Sequence, residues 1–124
     1  MALNVRGKYR TKQKKVDFNL PVIKFEEDKV FFLYSPALDL TGYGKSEAEA
    51  QTSFEETLEQ FLDYTINKKT LAAELKKLGW KISKTAMKSP SLTNMLMVNK
   101  YLAEIFEEKE YSKFDRTVSI PTFA

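Results

Sequence analysis

The 124-residue sequence contains no cysteine and no histidine. The lack of cysteine excludes disulfides, thiolate nucleophiles and every cysteine-containing zinc site, and it fits a reducing compartment. The lack of histidine removes the commonest general base and every Ser-His or Cys-His arrangement, so that only carboxylates and carbonyls remain as metal ligands. We therefore expect a protein that is not an enzyme, with no catalytic, cofactor-binding or metal-binding residues.

Long apolar runs are also absent, since none approaches the roughly 20 residues that a membrane-spanning helix needs. The polar start of the chain, Met1 to Lys15, lacks the apolar centre of a secretory signal. These features predict a cytoplasmic protein without membrane contact. The length and the hydrophobic content of 43% suit one globular domain with a core of its own.

Acidic residues are missing from the first 15 positions, although the chain as a whole has a net charge of +3. The rest of the chain then holds 14 bases against 17 acids. A basic N-terminal arm, residues 1–15, could bind nucleic-acid phosphates in a salt-dependent way or could be a solvated tail. The candidate phosphate contacts are Arg6, Lys8, Arg10, Lys12, Lys14 and Lys15.

Alternating apolar residues predict three short strands between Val16 and Gly44, the first two joined as a hairpin by a polar turn at residues 26–29. Pro21 indicates an edge strand or a bulge, because proline has no N–H for a ladder. The alternating segment 80–83 predicts a fourth strand at an edge of the sheet. Residues 111–124 are expected to form a late strand, centred on 116–120, or a clamp over the domain.

Ser46 and Glu49 form a capping-box pattern that predicts the start of a helix. Its apolar stripe, which includes Phe54, Leu58 and Leu62, is wide enough to lie across a three-stranded sheet. A second helix is predicted over 70–78, and Ser89-Pro90 begins a third helical stretch that Asn99 divides as a second N-cap.

Together these patterns predict an α+β fold, with an antiparallel sheet of three to four strands packed by one long helix and additional C-terminal helices. The predicted organisation is an arm at 1–15, an α+β core at 16–83 and a helical C-terminal extension at 84–124 that packs on the same domain.

The order of these elements and several short motifs between Pro21 and Leu62 resemble the HicB-type antitoxin family. The motifs are the hairpin VIKFEEDKVFFLYSP, the segment ALDLTGYGKS and the capped helix EAEAQTSFEETLEQFL. The resemblance implies a partly degraded ribonuclease-H-like fold and a bacterial antitoxin that masks a small ribonuclease toxin. The last third of the chain departs from the family pattern, because the strand candidate at 116–120 is not followed by the two helices of a ribbon-helix-helix domain. A nucleic-acid-associated accessory protein that uses the arm is the alternative function.

Five aspartates raise the question of a surviving nuclease site, which would need three or four carboxylates converging on two metal ions. Their positions in turns, strands and a helix make such convergence unexpected. They are Asp17, Asp28, Asp39, Asp63 and Asp115.

Partner contacts are sought among the aromatic residues of the sheet. Phe31 and Leu33 cannot share a face with Val30, Phe32 and Tyr34. One set is expected to lie under the later helices, and Met95, Leu96 and Met97 are expected in the core. The candidate partner surface comprises Phe31, Leu33 and Tyr43. We also expect that the segment from Val16 to Phe25, as an edge strand, could pair with its copy in a homodimer.

Overall fold

The protein is described by a computed structural model that covers residues 3–4, 15–83 and 86–121. The strands are β1 (Leu3–Asn4), β2 (Lys15–Glu27), β3 (Val30–Ser35), β4 (Leu40–Gly44), β5 (Lys81–Ile82), β6 (Met87–Lys88) and β7 (Tyr111–Pro121). The helices are α1 (Glu47–Asn67), α2 (Leu71–Lys77), α3 (Leu92–Val98) and α4 (Lys100–Glu108).

The main sheet has the strand order β1-β7-β2-β3-β4. Strands β7, β2, β3 and β4 pair antiparallel with one another in that order. The two residues of β1 add a short strand that runs parallel to β7 beside Val118 and Ser119. The predicted α+β fold is confirmed, with one long helix packed on an antiparallel sheet and further helices towards the C-terminus.

Strand β2 lies inside the sheet, so the prediction of an edge strand at Val16–Phe25 is wrong. It pairs with β7 from Lys15 to Phe25 and with β3 from Ile23 to Glu27. Pro21 is tolerated because the pairing with β3 begins only at Ile23, which leaves β7 as the one sheet neighbour of β2 at the proline. Self-association through β2, as the sequence suggested, is therefore not available.

Helix α1 begins as predicted, with the Glu49 N–H donating to the Ser46 hydroxyl oxygen at 3.1 Å. The helix crosses one side of the sheet, here termed the α1 face, in direct contact with the backbone of β4. A Cβ atom at Gly42 would lie 2.3 Å from the backbone nitrogen of Phe54, so only glycine fits there. The buried residues of α1 are Ala50, Phe54, Leu58, Leu62 and Thr65.

Helices α3 and α4 meet at Asn99, whose side-chain oxygen accepts the Leu102 N–H at 3.0 Å, as the predicted second N-cap requires. The opposite side of the sheet, here termed the α4 face, carries Phe25 and Tyr34. The ring of Tyr101 in α4 makes edge contacts with both, at centroid distances of 6.4 and 5.1 Å. The set with Phe32 and Tyr34 thus lies on the α4 face, and Leu33 lies on the α1 face.

The segment after α2 does not extend the main sheet. Among the residues that the structure describes, β5 pairs with β6 alone, in a separate two-stranded ribbon. Trp80, which directly precedes β5, anchors this region. Its indole N–H donates to the Ala37 carbonyl at 2.8 Å, and its ring meets the edge of Phe18 at 5.1 Å. The prediction of a fourth sheet strand at 80–83 is wrong, since a buried tryptophan rather than a backbone ladder anchors the segment.

The late strand predicted at 116–120 belongs to β7, which covers eleven residues and pairs along β2. The extension at 84–124 is therefore helical only in part, and its last strand belongs to the main sheet. From β7, the guanidinium of Arg116 donates to the Glu55 carboxylate of α1, with an Nε to Oε2 distance of 2.8 Å. Arg116 is 1% exposed, and the Glu55 side chain is 22% exposed.

We predict that Gly42→Ala lowers the free energy of unfolding by at least about 2 kcal/mol, because the added methyl group meets helix backbone that cannot rotate away. Urea unfolding followed by circular dichroism measures the change. The control is Thr52→Ala on the exposed side of α1, which should stay within about 0.5 kcal/mol of the wild type. An unchanged midpoint for Gly42→Ala would contradict the close contact between α1 and β4.

We predict that Glu55→Ala destabilises the protein by about 2–4 kcal/mol, because it leaves the buried Arg116 cation without its carboxylate. Arg116→Met should cost less, since the remaining carboxylate is partly exposed to water. The double variant should cost less than the sum of the two changes. Glu74→Ala, which breaks the exposed pair with Lys77, is the control and should change stability by less than about 0.5 kcal/mol. Equal costs for Glu55→Ala and the control would contradict this assignment.

Candidate functional site

A surface groove runs along the outer edge of β4 where α1 passes over it. We call it the Tyr43 groove. It has a volume of about 390 Å³. Its lining residues are Tyr43, Gly44, Ala48, Glu49, Thr52, Ser53 and Glu56. The lining combines small residues with one tyrosine and two glutamates, a composition suited to a side chain from another molecule.

Tyr43 is held in place through its backbone, because its N–H donates to the Ser53 hydroxyl oxygen of α1 at 3.1 Å. This bond satisfies a group at the edge of β4 that would otherwise face water or another strand. The ring of Tyr43 remains 63% exposed, with its inner side towards Phe32 at a centroid distance of 6.3 Å. A rigid backbone therefore presents an accessible aromatic ring.

The carboxylates of the groove come from one stripe of α1. Glu49, Thr52 and Glu56 follow each other at helical spacings of three and four residues, and all three are exposed. Helix α1 contains five glutamates and one aspartate but no lysine or arginine. Glu47 and Glu55 are paired with Lys24 and Arg116. The lining of the Tyr43 groove thus combines an exposed tyrosine with negative charge.

A second groove, of about 500 Å³, lies where the turn between β2 and β3 meets the end of α4 and the start of β7. Two of the three lysines that line it form ion pairs. Lys24 Nζ lies 2.6 Å from Glu47 Oε1, and Lys109 Nζ lies 2.7 Å from Glu27 Oε1. The hydrogen bond to Glu27 is the main reason that the pKa of Lys109 is raised. The lining of this groove mixes three lysines with five carboxylates, whereas the two charged residues that line the Tyr43 groove are both glutamates.

The three residues of the predicted partner surface do not lie together. Leu33 is 2% exposed in the core on the α1 face, because its neighbour Gly42 lets the helix approach, and it cannot contribute to a surface of this chain. Phe31 is partly buried and lines the second groove. Tyr43 alone lines the groove between β4 and α1. The sequence identifies Tyr43 as one of the aromatic residues of the sheet, but it does not show that the acidic stripe of α1 lines the same groove.

Other exposed apolar side chains occur at the end of α3, where Met97 is 80% and Val98 is 85% exposed. Met95 is buried as expected, whereas the expectation of a core position for Met97 is wrong. The chain turns at Asn99, so residues 97 and 98 fall on the outer side of the short helix.

The aspartates do not converge. Asp28 and Asp39 occupy left-handed positions in turns, with φ of 52° and 55°. Asp17 and Asp115 lie on neighbouring strands, and Asp63 lies on α1. Among residues 17–83 and 86–120, no group of three or more His, Cys, Asp or Glu side chains could hold a metal ion.

A polar cluster joins the sheet to the α3–α4 junction. The Asn99 amide donates to the Tyr34 hydroxyl at 2.8 Å, and that hydroxyl donates to Asp39 Oδ1 at 3.3 Å. Tyr34 is 2% exposed, and burial raises the pKa of its phenol. The cluster holds the α3–α4 junction on the sheet, and every partner of the hydroxyl is already supplied from within the chain.

Five of the candidate phosphate contacts, Arg6, Lys8, Arg10, Lys12 and Lys14, lie outside the described residues. Lys15 is the first residue of β2, and its backbone pairs with Pro121. Phosphate binding by the arm stays a prediction from the sequence.

We predict that ionisation of the Tyr34 phenol lowers the free energy of unfolding at alkaline pH. The unfolded phenol has a pKa of about 10, and the folded pKa is higher, so its contribution is complete below about pH 10 and is lost as the pH rises through the folded value. At pH 7, Tyr34→Phe should lower the free energy of unfolding by about 1 kcal/mol, because the hydrogen bonds of the hydroxyl are lost. As the pH rises above about 10, the stability of Tyr34→Phe should decline less steeply than that of the wild type.

Urea unfolding at four pH values measures the difference. Tyr64→Phe, at a ring that is 64% exposed, is the control and should follow the wild-type pH profile. Parallel profiles for Tyr34→Phe and the wild type would contradict the assignment.

No helix within the described ranges is long and apolar enough to cross a membrane. Comparison of the chain with protein-family models, with curated proteins and with solved structures gave no match. The Tyr43 groove, with its exposed ring and its carboxylates, is the candidate site on which a functional proposal can rest.

Proposed function

We propose that this protein is a non-enzymatic, antitoxin-like binding protein that masks a small basic protein, of the kind that a ribonuclease toxin represents. The observation that carries the proposal is the Tyr43 groove, which is lined by an exposed tyrosine and by two glutamates of a helix without a basic residue. The resemblance of residues 21–62 to HicB-type antitoxins supplies the class of partner. The strand order β2, β3, β4 followed by α1 is the order that this resemblance implies.

The groove is suited to a lysine or arginine side chain of the partner. A cation over the face of a tyrosine gains about 0.5–2 kcal/mol, depending on how far water is excluded. Glu49 and Glu56, one helical turn either side of Thr52, can then accept hydrogen bonds from the same cation or from its neighbours. Small toxins that bind RNA need basic surfaces, and an acidic groove that covers such a surface would compete with the phosphates of the substrate.

The same charges argue against nucleic acid as the ligand of this groove, because phosphates would be repelled by the α1 stripe. Nucleic-acid binding through residues 6–15 is the alternative function. It would leave the Tyr43 groove unused and would be strongly dependent on salt. The two functions therefore differ in the residues that they require.

The test first searches the genes on either side of this one for a small basic protein, and then produces that protein together with the full chain. We expect a complex whose mass is measured by light scattering and in which RNA cleavage by the small protein is suppressed. Tyr43→Ala should weaken binding by about 30-fold, as expected of a central aromatic contact. Glu49→Lys and Glu56→Lys should mainly slow association and reduce its dependence on salt.

There are two matched controls. Tyr64→Ala removes a tyrosine of similar exposure that lies in α1, outside the groove, and Glu107→Lys reverses an exposed charge on α4. Both should bind like the wild type. The proposal fails if no small basic neighbour is encoded, if no complex forms, or if Tyr43→Ala binds as tightly as Tyr64→Ala. Tight binding to an RNA or DNA duplex that is lost when residues 6–15 are neutralised would instead favour the alternative function.

A further inference from the structure

The two sides of the main sheet differ in how the edges of β4 and β7 are covered. At β4, helix α1 crosses the strand, and Ser53 accepts the outward N–H of Tyr43. At β7, the described neighbour on the outer side is β1, which pairs only with Val118 and Ser119. The segment Tyr111–Thr117 therefore has no described strand on its outer side, and alternate N–H and C=O groups of an antiparallel strand point that way.

We propose that this edge of β7 pairs with the same edge of a second copy, in an antiparallel arrangement about a two-fold axis at Phe114. Such a pairing would join the sheets of two chains into one. An edge strand of this length without proline is a template for a further strand unless another feature blocks it. Proline occurs in β7 only at its last residue, Pro121.

Charge complementarity favours a second copy of the chain as the partner of this edge, and it also favours one register of the pairing. Lys113 and Asp115 lie on the α4 face, are 39% and 54% exposed, and lie 3.2 Å apart between Nζ and Oδ1. With Phe114 opposite its own copy, each Lys113 lies opposite an Asp115 of the other chain. Directly opposed residues share a face and have Cβ atoms about 5 Å apart, so both cross-strand pairs are attractive.

The neighbouring symmetric registers are disfavoured. When the two-fold axis is perpendicular to the sheet, the α1 face of one chain joins the α1 face of the other. Opposed residues must then lie on the same face, so every allowed register has its axis at a residue. An axis at Lys113 would oppose two lysines, and an axis at Asp115 would oppose two aspartates. Only the axis at Phe114 pairs unlike charges in both places, and it also brings two partly buried phenylalanine rings together on the α1 face.

The test measures the mass of the full chain by sedimentation equilibrium between about 1 μM and about 1 mM. The wild type should form a dimer. Lys113→Glu and Asp115→Lys each replace two attractive pairs by two repulsive ones, and each should raise the dimer dissociation constant by about tenfold or more. Lys88→Glu, on the exposed side of β6, is the control and should dimerise like the wild type.

Two combinations separate this pairing from a general effect of charge. The double variant Lys113→Glu with Asp115→Lys restores unlike pairs and should dimerise again. An equimolar mixture of the two single variants should form a heterodimer, because two acids of one chain then face two lysines of the other. Hydrogen exchange should show protection of alternate amides in 111–117 that increases with concentration.

A wild type that remains a monomer at about 1 mM overturns the proposal. A dimer that withstands both single variants, or a mixture of the single variants that stays monomeric, overturns it as well. These outcomes are independent of the Tyr43 groove, since β4 and β7 lie at opposite sides of the sheet.

Discussion

The close contact between α1 and β4 is the constraint on which much of the remaining structure depends. Without side chains at Gly42 and Gly44, the helix backbone can rest on the strand backbone. The buried stripe of α1 then reaches the sheet, and Glu55 reaches Arg116 on β7. The same contact places Ser53 at the edge of β4 and aligns Glu49 and Glu56 beside Tyr43. Packing of the core and formation of the groove are thus consequences of one close approach.

Local signals in the sequence were sufficient for much of the fold. The cap at Ser46 and the division at Asn99 depend on hydrogen bonds within three residues, and both formed as predicted. The hairpin of β2 and β3 likewise depends on adjacent residues. Where a structure is decided within one turn of the chain, the residue types present are sufficient to predict it.

Non-local pairing explains what could not be predicted. The neighbour of β2 is β7, about ninety residues further along, and nothing in the alternation of either strand identifies the other. From the sequence, Pro21 indicates an edge strand or a bulge. In the structure, it lies in the part of β2 that pairs with β7 but not with β3. Leu33 appeared available as a surface residue because the contact that buries it depends on Gly42 and on a helix that begins after that strand.

The candidate site illustrates the same limit. Tyr43 could be identified as an aromatic residue of the sheet, and the acids of α1 from composition, but the groove that both line depends on how the helix crosses the sheet. A helix that crosses the edge of β4 cannot also cover the edge of β7, because the two strands are separated by β2 and β3. One edge of the sheet therefore becomes a groove of side chains, whereas the other retains backbone groups for a further strand. The asymmetry follows from the two glycines that bring α1 to β4, and it separates side-chain recognition at β4 from strand pairing at β7.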